Sequence, residues 1–275
     1  MVSKKGAYQL ERMNRDGDRT TPAIWEKEWE EASFNKYYGV ERYLAIKRRL
    51  HLLFKRFLTN GCKGSSSNTK VLEIGCARGK QLIYFAKDFG YKIYGIDSSQ
   101  RGVAIAMDNL KRAGVQGTIL CEDIFKTSLI KESFDIVYSM GLVEHFDKPE
   151  EVIDAHIGLL RKGGILIITV PNFGRSIHMK IRGLIGQDKA LLPLINQSIM
   201  DKQFLAELMQ DRGVEVLYLD YMGMIELTLG LGKVKNKVIF YPMLLINQII
   251  GYLTFFMPSS RYLSPYLVVV ARKEM

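Results

Sequence analysis

Cysteine is scarce in this chain, and the three present, Cys62, Cys76 and Cys121, are odd in number and fall in no metal-ligand spacing. They exclude a disulfide framework and point to a reducing compartment. The four histidines stand apart from one another, which excludes a zinc constellation. No zinc finger, RNA-recognition motif or KH-type loop is present, so nothing supports a nucleic-acid partner. Residues 1–18 are basic and polar without an apolar run, so no secretory leader is expected and a cytoplasmic location is. Internal repeats are missing, and Gly64-Ser65-Ser66-Ser67 is the one low-complexity stretch, read as a linker. Positive charge, by contrast, is plentiful. The net charge of +10 suits an anionic bilayer, an acidic substrate or, with a fitting module, nucleic acid. A length of 275 residues suits one large α/β domain with additions.

The most informative stretch runs from Lys70 to Asp97. Val71, Leu72 and Ile74 make a short apolar strand that carries Glu73 near its end, followed by the small-residue turn Gly75-Cys76-Ala77-Arg78-Gly79. Leu82, Ile83, Phe85, Ala86 and Phe89 then mark an amphipathic helix, and a second strand from Lys92 to Ile96 delivers Asp97 at its tip. Strand, glycine turn, helix, strand and acid is the layout of a nucleoside-binding βαβ unit. The turn lets backbone approach the ligand, and the acid accepts hydrogen bonds from ribose hydroxyls. A dinucleotide fingerprint needs glycine where Ala77 and Lys80 stand, and Gly79-Lys80-Gln81 is no phosphate-cradling loop.

The pattern Glu/Asp-x-Gly-x-Gly-x-Gly, with Ala77 at the middle glycine, resembles motif I of the class I S-adenosylmethionine (SAM) methyltransferases. The carboxylate at the strand end suits a ligand that carries ammonium and sulfonium groups in place of phosphates. The resemblance continues in order over residues 68–172. Gly117 to Cys121 reads as a third strand, followed by Glu122-Asp123-Ile124, where the family places an acid on the adenine amine and an apolar residue against the ring. Phe134 to Ser139 is a fourth strand, opening into Met140-Gly141-Leu142-Val143-Glu144-His145-Phe146. A helix from Glu150 to Leu160 leads to the turn Arg161-Lys162-Gly163-Gly164 and a fifth strand, Ile165 to Val170, before Pro171-Asn172. The resemblance implies SAM as cofactor, held by Glu73, Gly75, Cys76, Gly79, Asp97, Ser98, Asp123, Ile124, Ser139 and Met140. It implies an α/β fold: a Rossmann-like seven-stranded, mostly parallel sheet whose last strand is antiparallel.

Methyl transfer to an alcohol or phenol needs a proton removed, and histidine is the usual agent. His145, after the fourth strand, is the candidate base, with Glu144 beside it; the alternative is that both merely orient the next loop. His178 is a second candidate. The run Leu142 to Phe146 is similar to the Leu-Glu-His-Val of the ubiquinone-biosynthesis O-methyltransferases. That family has a further Glu in a proposed metal site where Gly141 stands here, so no metal is expected. The Asp/Asn-Pro-Pro-aromatic element of base methyltransferases is replaced by Ser139-Met140-Gly141-Leu142. The expected acceptor is therefore a small or lipid-linked hydroxyl compound: a quinone precursor, a glycolipid sugar or a secondary metabolite. An RNA or protein acceptor, and a SAM-fold subunit without catalysis, stand as alternatives.

Two regions lie outside these motifs. Residues 1–67 read as a helical extension before the methyltransferase domain at 68–275. Trp25, Trp29, Phe34, Tyr37 and Tyr38 are candidates for a lid, and the apolar stripe from Val40 to Leu58 reads as a helix on the sheet's flank. The second is an apolar insertion at about 222–264, between a sixth strand (Val214 to Tyr221) and a seventh (Tyr266 to Ala271). Within it, Val238 to Met257 runs twenty residues without a charge, long enough to span a bilayer. A single span would part the seventh strand from its sheet, so peripheral contact with the inner face of a membrane is expected instead. A buried cap over the acceptor site or a homodimer core is the alternative use.

Overall fold

The computed structural model describes residues 18–31, 45–59, 68–172, 194–223 and 257–275, together with 241–242, 245–246, 249–250 and 252–253. Seven strands form one sheet: β1 (Lys70–Ile74), β2 (Lys92–Asp97), β3 (Gly117–Cys121), β4 (Phe134–Met140), β5 (Leu160–Pro171), β6 (Val214–Met222) and β7 (Tyr266–Lys273). Their order is β3-β2-β1-β4-β5-β7-β6, and β7 runs antiparallel to both its neighbours while the remaining pairings are parallel. The expected sheet is present.

Helices cover both faces of the sheet. These are α1 (Pro22–Glu31), α2 (Ala45–Phe54), α3 (Lys80–Phe89), α4 (Gln100–Arg112), α5 (Pro149–Leu159) and α6 (Lys202–Met209). The pleat sends alternate side chains to opposite cores. Leu72 and Val137 join one core with Ile153 of α5 and Leu205 of α6, while Val71 and Ile136 join the other with Phe85 of α3 and Phe54 of α2. Phe54 meets Tyr138 edge-on at 5.8 Å, so α2 contributes core rather than a wall of the cleft. Ile165 through Ile168 are fully buried, as a strand covered on both faces requires.

The expected turn at Arg161-Lys162-Gly163-Gly164 is instead a bulge inside β5. Phe134 pairs with Leu160 and Ile136 with Ile165, so a single β4 residue faces four on β5. Gly163 takes a left-handed φ of +72°, which lets the strand absorb the extra residues.

At the far edge the ends of the insertion are fastened together. Asn172, just past β5, donates its side-chain amide to the Arg261 and Ser264 carbonyls at 2.7 and 2.9 Å. The Ser264 hydroxyl donates to the Gly223 carbonyl at 3.2 Å. The insertion therefore leaves and returns at the carboxyl ends of the parallel strands. Among the described residues no helix is long and apolar enough to cross a membrane.

Candidate active site

A cleft of about 260 Å³ opens at those same carboxyl ends, above β1, β2 and β4. Its floor is the turn after β1. Gly75 has a φ of +72°, and a Cβ there would stand 3.2 Å from Leu142 Cδ1, so glycine keeps this turn close to the loop after β4. The Gly75 and Cys76 amides both donate to the Ile96 carbonyl, at 2.9 and 3.2 Å, which locks the turn to β2.

Asp97 caps β2 and lines the cleft. Its carboxylate accepts from the Ala77 amide at 3.0 Å and the Ser99 amide at 2.9 Å. Burial pushes its pKa up to about 6, and the two amides oppose the rise. Glu73, whose backbone belongs to β1, also lines the cleft, and its Oε2 has no hydrogen-bond partner. Burial, with Asp97 nearby, raises the Glu73 pKa to about 8. Two buried carboxyls in one cleft, one of them with an unsatisfied oxygen, form a site for a ligand that brings hydroxyls and positive charge.

Ser98, Asp123, Ile124 and Met140 line the cleft as well. Asp123 caps a short 3-10 turn by accepting from the Phe125 amide at 3.0 Å, and Met140 Sδ receives the Gln81 side-chain amide at 3.1 Å. Cys76, Gly79 and Ser139 stand behind the surface. Cys76 is fully buried, and a Cβ on Gly95 would fall 2.7 Å from its sulfur. Gly79 starts α3 where a Cβ would meet Leu110 at 2.7 Å, so it serves close helix packing. The Ser139 hydroxyl is buried within the sheet.

Glu144 and His145, adjacent in sequence, part company in space. His145 lines the cleft, and Glu144 lies behind it. Their nearest approach, Glu144 Oε1 to His145 Nε2, is 3.8 Å, too long for a hydrogen bond. Burial lowers the His145 pKa to about 4, against a hydrogen bond to the Leu194 backbone, and raises that of Glu144 to about 8. Both side chains are thus neutral near pH 7, and the contact is not an ion pair. His145 Nδ1 has no partner within the protein.

The outer wall comes from the extension. Trp25 and Trp29 of α1 line the cleft, their rings stacked at 6.0 Å. The Arg78 guanidinium lies 4.8 Å over Trp29. Glu26 accepts from the Ser99 hydroxyl at 2.9 Å and the Arg101 amide at 3.2 Å, which ties α1 to the start of α4. The Arg19 amide donates to the His145 carbonyl at 2.9 Å, and its side chain reaches Asp147 at 2.6 Å. Sequence reasoning missed Glu26, Arg19, Arg78 and Gln81, since nothing in their local pattern marks them. Phe34, Tyr37, Tyr38 and His178 lie outside the described residues. Among the described residues no group of three metal-ligating side chains comes together.

Residues 72–168 match the family model described as a methyltransferase domain. That stretch is a methyltransferase domain. The domain is 30% identical over 147 residues to a ubiquinone biosynthesis O-methyltransferase of Glaesserella parasuis, a match over 52% of this chain and 59% of that protein. The chain spans between 43% and 59% of the length of three curated relatives that it matches. In fold the chain is similar to a geranyl diphosphate C-methyltransferase of Streptomyces coelicolor solved with S-adenosylhomocysteine, at a TM-score of 0.57, 12% identity, and 92% and 97% coverage of the two chains. It is also similar to the [4+2]-cyclase SpnF, at a TM-score of 0.55, 21% identity, and 83% and 80% coverage. The paired carboxyls of Glu73 and Asp97 and the left-handed Gly75 turn fit SAM, the cofactor of this family.

Proposed function

We propose that this chain methylates a hydroxyl oxygen of a small or lipid-linked acceptor. When bound, SAM supplies a methyl group activated by its sulfonium. Asp97 would accept hydrogen bonds from the ribose hydroxyls, Glu73 would offer its unsatisfied oxygen to the cationic end, and Asp123 and Ile124 would flank the adenine. Positioning of this kind provides up to roughly 7–11 kcal/mol in favourable cases. The observation that carries the oxygen assignment is His145: a neutral imidazole in the cleft wall whose Nδ1 has no protein partner. His145 Nδ1 would take the acceptor's O–H proton and bound SAM would supply the methyl group, leaving the methyl ether and S-adenosylhomocysteine. The O-methyltransferase activity named for the Glaesserella relative supports this reading.

A second reading, a domain that binds SAM without transferring its methyl, is favoured by the depth of the His145 shift. A pKa of about 4 makes a weak base. The similar fold of a [4+2]-cyclase belongs on the same side. The test is incubation with methyl-tritiated SAM and a total cell extract. Label in organic-soluble phenols or alcohols is expected. Label only in acid-precipitable protein or RNA transfers the reading to a macromolecular acceptor, and no transfer alongside measurable SAM binding establishes the second reading.

A further inference from the structure

We propose that the insertion between β6 and β7 docks the protein on an anionic lipid bilayer, lying in the interface without crossing it. Tyr241, Leu245, Ile249 and Leu253 are helical and are exposed by 52%, 61%, 49% and 73%. Steps of four residues advance about 400° at helical periodicity, so the sequence spacing of these four positions fits roughly one third of a helical circumference. Tyr252, 51% exposed, joins the same stripe. Large apolar side chains in solvent at this density mark an interaction surface.

Charge identifies the occupant. From Leu227 to Ser264 the sequence holds Lys233, Lys235, Lys237 and Arg261 and no acidic residue. Arg49 of α2 donates to the Met257 carbonyl at 2.8 Å, which brings one more cation to the end of the apolar stretch. Exposed apolar residues in a stretch of sequence whose charges are cations alone fit an anionic bilayer, where each basic group near the surface adds attraction. Two copies of the segment would instead bring like charges together.

Position links this surface to the cleft. The Asn172 and Ser264 hydrogen bonds hold the insertion at the carboxyl ends of the parallel strands, the edge that also carries Asp97 and Met140. A docked molecule turns its cleft edge toward the lipid, so the acceptor is a lipid-soluble hydroxyl compound that enters from the membrane. This last step rests on the methyltransferase reading; the docking itself does not.

The test is co-sedimentation of the intact protein with vesicles of phosphatidylcholine containing about one third phosphatidylglycerol. The wild type should pellet, and raising salt from about 0.05 M to about 0.5 M should release several-fold of it. The triple variant Leu245→Ser, Ile249→Ser, Leu253→Ser should partition about tenfold less while binding SAM normally by calorimetry. These positions are exposed, so the fold should survive, and circular dichroism checks it. Equal partitioning of variant and wild type, or a wild type that stays in solution with every vesicle, overturns the proposal. A concentration-dependent dimer by light scattering, lost in the variant, would give the surface to a second copy of the chain instead. Sedimentation without SAM binding would leave docking in place and remove the methyltransferase reading.

Discussion

The Trp25 indole and the His145 imidazole meet almost at right angles, their centroids 4.9 Å apart with 83° between the planes. Trp25 comes from α1 and His145 from the loop after β4, so a segment outside the methyltransferase core dries the candidate base. The same helix is latched by Glu26 on Ser99, over the carboxylate that is to hold the ribose. Helix α1 thus covers His145 with Trp25 and holds the turn after β2 with Glu26.

Trp25→Ala should therefore rehydrate the imidazole. Burial is the cause of the low His145 pKa, so the value should climb from about 4 toward the ordinary 6.5, by about one unit or more. Titration of the His145 ring resonance by NMR checks this directly. An unchanged midpoint would show that Trp25 contributes nothing to the desolvation.

His145→Ala should lower kcat by roughly 10²–10⁴ and leave SAM affinity near that of the wild type. Single-turnover rates beside calorimetric titrations separate the two effects. Wild-type turnover from pH 6 to 9 would return His145 to a structural role.

Replacing Asp97 with Ala should weaken SAM and S-adenosylhomocysteine binding by about 1.5–3 kcal/mol, the usual worth of hydrogen bonds to a charged group. Calorimetry is the measurement, with circular dichroism to confirm the fold. Affinity like that of the wild type would sink the assignment of Asp97 to the ribose.

Glu144 yields a prediction about stability. Its folded pKa lies near 8, above the ordinary 4.5, so between those limits the folded state binds more protons than the unfolded. Stability is complete below about pH 4.5 and declines as pH rises through 8. Glu144→Gln keeps the shape of the neutral acid and has no proton to lose. Its melting temperature should equal the wild type's near pH 5 and exceed it by several degrees near pH 8. Parallel melting curves at every pH would show that Glu144 is ionised in the folded protein. Glu73, raised in the same direction, leaves a residual slope in the variant.

Much of the site could be read along the chain because its parts are local. Gly75 and Asp97 belong to one βαβ unit, where the alternation of strand residues, the glycine turn and the amphipathic helix follow short-range rules. The same rules located β4 and β5 within a few residues. They mislead at Gly163-Gly164, since a turn and a bulge use the same left-handed glycine, and only the pairing of β5 with β4 decides between them.

The sequence by itself determined the order of strands and helices, the cofactor turn and the acid at the tip of β2, because backbone geometry and side-chain periodicity act over a few residues. Tertiary structure decided which functional groups meet. Glu144 and His145 are neighbours in the chain, yet one is sealed behind the other because successive residues of the short turn point different ways. Glu26 and Ser99 are 73 residues apart and Trp25 and His145 further still, so their contacts come from the docking of α1 on the domain. No local pattern encodes such pairs; they exist because burying the tryptophan rings over the cleft brings the segments together.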